Sequence, residues 1–260
     1  DRIDLRNRLK DLSKNLNIEL IEIYKQNKIL NINLTLISKL ITLKIYFLRI
    51  FYDLKHKKEF SFCFCFLLLK RFLNLNKFLI KLLFRSKNWN INTYKHMQIE
   101  SLVTRKHIKA WKHFLKSKKE IMVIFEDDTT CKKDTEIRLK DFFGKLKKTN
   151  LENTFIDLAG GLSLDDVIPK RKIKKSRDEF IVAKGIYTNT ACSYLISRNL
   201  VKKLYVEYQK SKLNKSFPID HLINKLGMTI NKSKNIFSIH FHKPLFTHGS
   251  FKGNIKSWQV

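Results

Sequence analysis

The feature that most constrains this chain is Ile121-Met-Val-Ile-Phe125, a fully apolar run of strand length that ends on three adjacent acids, Glu126-Asp127-Asp128. The run reads as a buried strand. Ending such a strand on three carboxylates brings repulsion and desolvation unless a cation sits among them. Mg²⁺ and Mn²⁺ take oxygen ligands and commonly bridge a carboxylate to substrate phosphates. In open α/β sheets, ligands gather at the carboxyl ends of strands, which is where these acids fall. The plainer alternative is a solvated turn, or an N-cap for the following helix.

Around this run the pattern alternates. Ile99 to Lys116 reads as a helix marked by Leu102, Ile108, Trp111 and Leu115, and Glu136 to Lys147 as another. Strands are predicted at Thr154 to Leu158, Phe180 to Ala183 and Ile236 to His240, and helices at Ser197 to Tyr208 and Pro218 to Leu226; Asp165 to Glu179 reads as a basic loop. Strands alternating with helices predict an α/β fold with a mostly parallel sheet.

Residues 1–24 open with a charged helical pattern and a short apolar strand, Ile18 to Ile23. Residues 25–94 are unusual. Runs such as Phe62 to Leu69 and Phe72 to Phe84 are broken by Lys70-Arg71 and single lysines. The longest apolar run is far short of the roughly 20 residues that span a bilayer. The pattern suits either helices packed on the core or an apolar, basic face lying on an anionic membrane.

A chain of 260 residues can bury one sizeable core. Lys plus Arg number 53 against 23 Asp plus Glu, a formal net charge of +30, which draws the protein toward polyanions. A non-enzymatic basic module binding nucleic acid is therefore a rival reading, but no aromatic-and-basic signature of such a module appears. The acids would also repel phosphate. Cys63, Cys65, Cys131 and Cys192 show neither a disulfide framework nor a metal spacing beyond Cys-Phe-Cys.

A second group of chemistry-bearing residues lies near the C-terminus: Asp220, His221, His240, His242 and His248. Along a strand, His240-Phe-His242 puts both rings on one face. Asp220 could cap a helix or act as a general base.

Taken in order, these segments resemble glycosyltransferase family 25, the lipopolysaccharide-type and collagen-type galactosyltransferases. Thr104-Arg-Lys-His-Ile-Lys-Ala-Trp111 resembles that family's Ser-His-x-x-x-Trp helix, and Ile121 to Asp128 its strand ending in Glu-Asp-Asp. Thr190 to Arg198 resembles its Tyr-Leu-Ile-Ser segment, Pro218-Ile-Asp220 its Pro-x-Asp, and Pro244 to Ser250 its C-terminal Pro-to-Ser stretch. Asp1 to Arg8 resembles the start of its first helix, with the preceding strand expected to be missing. The stretch from Lys25 to Tyr94 is longer and more apolar than the family's connection.

The resemblance implies a GT-A-like nucleotide-sugar-binding fold with a helical apolar and basic insertion at 25–94 and the main catalytic portion at 95–260. It implies an inverting, metal-assisted transfer of a sugar, expected to be galactose from UDP-galactose, to a glycan or lipid-linked acceptor. Glu126, Asp128 and His248 would hold Mn²⁺ or Mg²⁺. Asp127 would take a ribose or sugar hydroxyl, Lys184 and Arg198 would flank the Tyr194 segment and pair with the diphosphate, and Asp220 would be the base. The expected location is cytoplasmic, peripheral at the inner membrane face. An inactive, membrane-attached relative of the enzyme is the remaining alternative.

Overall fold

The computed structural model describes residues 87–131, 134–146, 151–176, 179–211, 214–215, 217–231 and 235–249, with Asn7, Arg8, Lys10, Asp11, Leu12 and Lys14. The strand expected at Ile18 to Ile23 and the membrane-facing stretch through Phe84 lie outside these residues. The chain divides into two compact units, one of Asp1–Lys25 with Leu102–Trp258 and one holding Gln26–Ser101. Of the smaller unit, only the start of helix α1 (Lys87–Lys116) is described. No helix among the described residues is long and apolar enough to cross a membrane.

In the larger unit a six-stranded sheet has the order β1-β7-β3-β8-β6-β5, from Ile121–Phe125, Ser193–Ser197, Thr154–Asp157, Phe237–Phe241, Phe180–Lys184 and Ile173–Ser176. A three-stranded sheet has the order β2-β9-β4, from Thr129–Cys131, Phe246–His248 and Ala159–Gly160. The described residues of this unit also form helices α2 (Thr135–Leu146), α3 (Leu164–Val167), α4 (Arg198–Gln209) and α5 (Ile219–Asn231).

The mostly parallel sheet predicted from the sequence is corrected. Among the described residues of the large sheet, only β3 and β8 pair in parallel; β1–β7, β3–β7, β6–β8 and β5–β6 are antiparallel. Two of the four antiparallel pairs come from Ser193–Ser197, whose three apolar residues are bounded by serine on both sides and do not announce a strand. It inserts antiparallel between β1 and β3 and is buried along its whole length. The strands β1, β3 and β8 still point the same way, so their carboxyl ends share one edge. The basic loop expected over 165–179 also contains α3 and edge strand β5, whose exposed lysines suit an edge that must not pair further.

The second sheet grows from that shared edge. Past the turn after β1 comes β2, and past Leu158 comes β4. Strand β9 lies between them, antiparallel to β2 and parallel to β4. Leu158 O accepts from both Leu245 N and Phe246 N, at 3.1 and 3.0 Å, which anchors β9 to the main sheet. A glycine is needed at Gly160, because a Cβ there would run into Pro244 Cγ. The core beneath combines Leu139, Phe142, Ile156, Leu158, Leu195 and Phe246, all buried, with Leu12 of the N-terminal segment.

Candidate active site

Strand β1 is half-buried rather than fully buried, and among the described residues it is an edge strand rather than a central one. The acids leave it in a tight turn closed by Thr129 N donating to Glu126 O at 3.1 Å. Cys192 O pins this turn twice, accepting from Glu126 N at 2.8 Å and from Thr129 Oγ1 at 3.0 Å. Directly before Cys192, Thr190 and Ala191 hold φ of 90° and 53°. Positive φ is unfavourable for any residue with a Cβ and most of all for a β-branched one such as Thr190, at about 1–3 kcal/mol, and such strain collects at functional sites.

Pairing of β9 with β2 sets His248 opposite Thr129, beside the acids. Gly249 N donates to Asp128 O at 2.9 Å and locks that register. As a result one ligand atom from each of Glu126, Asp128 and His248 lies within 4.8 Å of the others. His248 Nδ1 stands 3.3 Å from Asp128 Oδ2, and its Nε2 stands 3.9 Å from Glu126 Oε2. Asp128 is buried, while Glu126, Asp127 and His248 are partly accessible. Two carboxylates and an imidazole with open sides are a donor set for a hard divalent ion.

Asp220 stands outside that group, in the first turn of α5, where its Oδ1 accepts from His221 N at 2.8 Å. Two ties hold its segment toward the same edge of the sheet. Thr188 Oγ1 donates to Asp220 O at 3.1 Å, and the next residue, Asn189, donates its N–H to Asp157 Oδ2 at the carboxyl end of β3. On the other side Thr104 Oγ1 donates to Phe217 O at 2.7 Å, one helical turn from His107.

Three residues expected to contact the diphosphate and nucleotide lie apart from the acid turn or buried beneath it. Lys184 pairs with Phe237 and so sits in the row of Thr154. That row is level with Ile121, at the opposite end of the strands from the acids, about 17 Å along the strand direction for the five residues to Glu126 at 3.3 Å per residue. Arg198 follows Ser197, the partner of Ile121, at that same far end. Its guanidinium caps the end of α1, donating to the carbonyls of Leu115, Ser117 and Lys119. Tyr194 is fully buried, and its hydroxyl accepts from Trp111 Nε1 and bonds His107 Nδ1, each at 3.0 Å. His240 and His242 also part company: β8 ends at Phe241, leaving His240 buried and His242 exposed.

Sequence reasoning passed over two groups. The first is His107, whose Nε2 stands 3.0 Å from Glu126 Oε1. Its spacing of four from Trp111 on a helix was the available signal, since that spacing puts both on one face. The second is Asp157, buried under the site. It accepts from Ala159 N at 3.2 Å and Asn189 N at 2.6 Å. Asn189 Oδ1 in turn accepts from Gly161 N and Leu162 N, so a single carboxyl organises two loops.

Burial holds the Asp157 carboxyl well above the usual carboxylate range, against the pull of its two N–H donors. Burial also pushes His240, 3.9 Å away, down to about 3. Their signs on stability oppose. For His240 the unfolded chain takes up a proton that the folded one refuses, so its contribution is present above 6.5 and is lost as pH falls toward 3. For Asp157 the folded state keeps the proton, so its contribution is present below 3.8 and is lost as pH rises through the folded value. Replacing His240 by Gln should therefore flatten the loss of stability between pH 6.5 and 4.5 relative to the parent, by up to about 1.4 kcal/mol per pH unit. Urea midpoints at both pH values check this; parallel pH profiles would show that His240 is charged in the fold.

The stretch from Thr104 to Ile223 holds His107, Trp111, the acid turn, Asp157, Tyr194 and Asp220, while His248 lies beyond it. No curated protein matches the chain. Over that stretch, residues 104–223, the chain matches the model of glycosyltransferase family 25 (LPS biosynthesis protein).

Proposed function

We propose that this glycosyltransferase-family chain moves a sugar from a nucleotide-diphosphate donor to a hydroxyl of a glycan or lipid-linked acceptor, with a divalent metal at Glu126, Asp128 and His248. The observation that carries the reading is the convergence of these three side chains, from segments some 120 residues apart, within 4.8 Å. Ligand atoms about 2.0–2.1 Å from an octahedral Mg²⁺ lie about 3–4 Å from one another, and the cluster has room for that. When bound, the ion would neutralise charge developing on the departing nucleotide diphosphate.

The protein's own groups divide the remaining work. Asp127, between the two acidic ligands in the turn, takes a ribose or sugar hydroxyl. Asp220 accepts the proton of the acceptor hydroxyl as that oxygen attacks the anomeric carbon, which inverts its configuration. We read the fold as GT-A-like, the catalytic portion as residues 95–260, and the donor sugar as galactose carried by UDP.

Binding of UDP with and without Mn²⁺ tests the reading. Mn²⁺-dependent binding supports it. Metal-independent binding of nucleic acid instead would favour the basic-module alternative, and no nucleotide binding at all would favour an inactive relative. Asp220→Asn is expected to lower kcat by about 10²–10⁴-fold, the usual worth of a general base, while leaving Mn²⁺-dependent UDP binding unchanged. A variant that keeps most of its turnover would move the base to another residue.

A further inference from the structure

We propose that Trp111, Tyr194 and His107 form a chain of hydrogen bonds whose proton order is set at the tryptophan and whose output is the orientation of Glu126. The proposal rests on the metal reading above for its purpose, but the proton order stands on the structure alone.

Trp111 Nε1 can only donate, and it donates to Tyr194 OH at 3.0 Å. With that lone pair engaged, the tyrosine's own proton needs an acceptor, and His107 Nδ1 lies 3.0 Å away. Both rings are buried, Tyr194 at 0% and His107 at 4% exposure, so water offers no alternative. Burial also pushes the phenol well above its usual range, so it keeps its proton. A neutral imidazole that accepts at Nδ1 carries its hydrogen on Nε2. That nitrogen faces Glu126 Oε1 at 3.0 Å, and a carboxylate there can only accept. The two ends of the chain thus demand the same tautomer. The other tautomer would set a lone pair against the carboxylate and leave the tyrosine proton without an acceptor.

Holding Oε1 in this way turns the other oxygen outward: Glu126 Oε2 is the atom 3.9 Å from His248 Nε2, within the Asp128 group. His107 is therefore a positioning residue, acting through Glu126. Groups of this kind behind a metal ligand are worth about 10- to 100-fold in metal affinity.

The test uses the full chain and two readouts. In metal-free protein with ¹⁵N-labelled histidine, the His107 signals should show hydrogen on Nε2; hydrogen on Nδ1 would overturn the proposal. Calorimetric titration with MnCl₂ should then show Tyr194→Phe binding about 10- to 100-fold more weakly than the parent. Parental affinity in that variant would also overturn the proposal. Tyr194→Phe leaves the Trp111 N–H buried without an acceptor and could fail to fold. The double variant Trp111→Phe, Tyr194→Phe removes donor and acceptor together, and the same loss is expected of it. If the parent binds no Mn²⁺ while His107 carries its hydrogen on Nε2, the metal reading falls and the proton order stands.

Discussion

Asp128→Asn is expected to abolish the response to Mn²⁺ and to lower kcat/KM by about 10²–10⁴-fold. The side chain keeps its size, so the change isolates charge. A neutral amide is a poor substitute for a carboxylate toward a hard divalent ion, which prefers anionic oxygen. Metal-assisted neutralisation of a leaving group is worth several kcal/mol, and each 1.36 kcal/mol is tenfold in rate. Asp128 is also the most deeply buried of the three candidate ligands, at 6% exposure. It has the least freedom to be replaced by water. A thermal measurement separates this from simple misfolding. Binding to the folded state alone stabilises by about 2.7 kcal/mol at a hundredfold excess over Kd. Mn²⁺ should accordingly raise the Tm of the parent and leave that of Asp128→Asn unmoved. A variant with the parent's Mn²⁺ affinity would remove Asp128 from the metal set.

Trp111→Ala should cost about 3–5 kcal/mol of stability, the range for emptying a large buried aromatic site. Trp111 is fully buried among the largest enclosed side chains of the protein. The substitution leaves a cavity under the sheet and strips Tyr194 OH of its donor. Domains are commonly stable by only 5–15 kcal/mol, so this is a large part of the total. At about 2–4 °C per kcal/mol for a chain of this size, the Tm should drop by on the order of 10 °C. Urea unfolding with an unchanged m-value checks the assignment to the folded state. A loss below about 1 kcal/mol would mean that the indole is not packed as described. Arg198 lies over the neighbouring Phe114, 5.0 Å from the ring centroid, so this end of α1 is held by both faces of the contact.

Long periodic segments were legible because their periodicity is local. The apolar run Ile121–Phe125 is a strand at its predicted bounds, the helices at Thr135–Leu146 and Arg198–Gln209 lie within one residue of theirs, and Ile219–Asn231 runs five residues beyond the expected Leu226. Strands β7 and β9 were not legible. Ser193–Ser197 has only Tyr-Leu-Ile between two serines, and Phe246–His248 is three residues long, so nothing local separates them from loop. Their consequences are large. Missing β7 hid two of the antiparallel pairings and with them the placement of Tyr194 and Arg198, while the antiparallel pairing of β6 with β8 sets Lys184 at the far end.

From its own pattern the sequence determined that an apolar strand must end on Glu126-Asp127-Asp128, and that helices alternate with strands around it. Those are statements about neighbours in the chain, where a few residues carry the information. Only the tertiary structure decided which distant residues meet that turn. Antiparallel pairing of β9 with β2 brings His248 to Asp128. Packing of α1 brings His107 to Glu126. Antiparallel β7 buries Tyr194 behind His107 and carries Arg198 to the far end. In a sheet a shift of one residue moves a side chain to the opposite face, and reversing a strand moves it to the opposite end. Pairing partner and direction are properties of the whole chain's burial, and no local pattern encodes them.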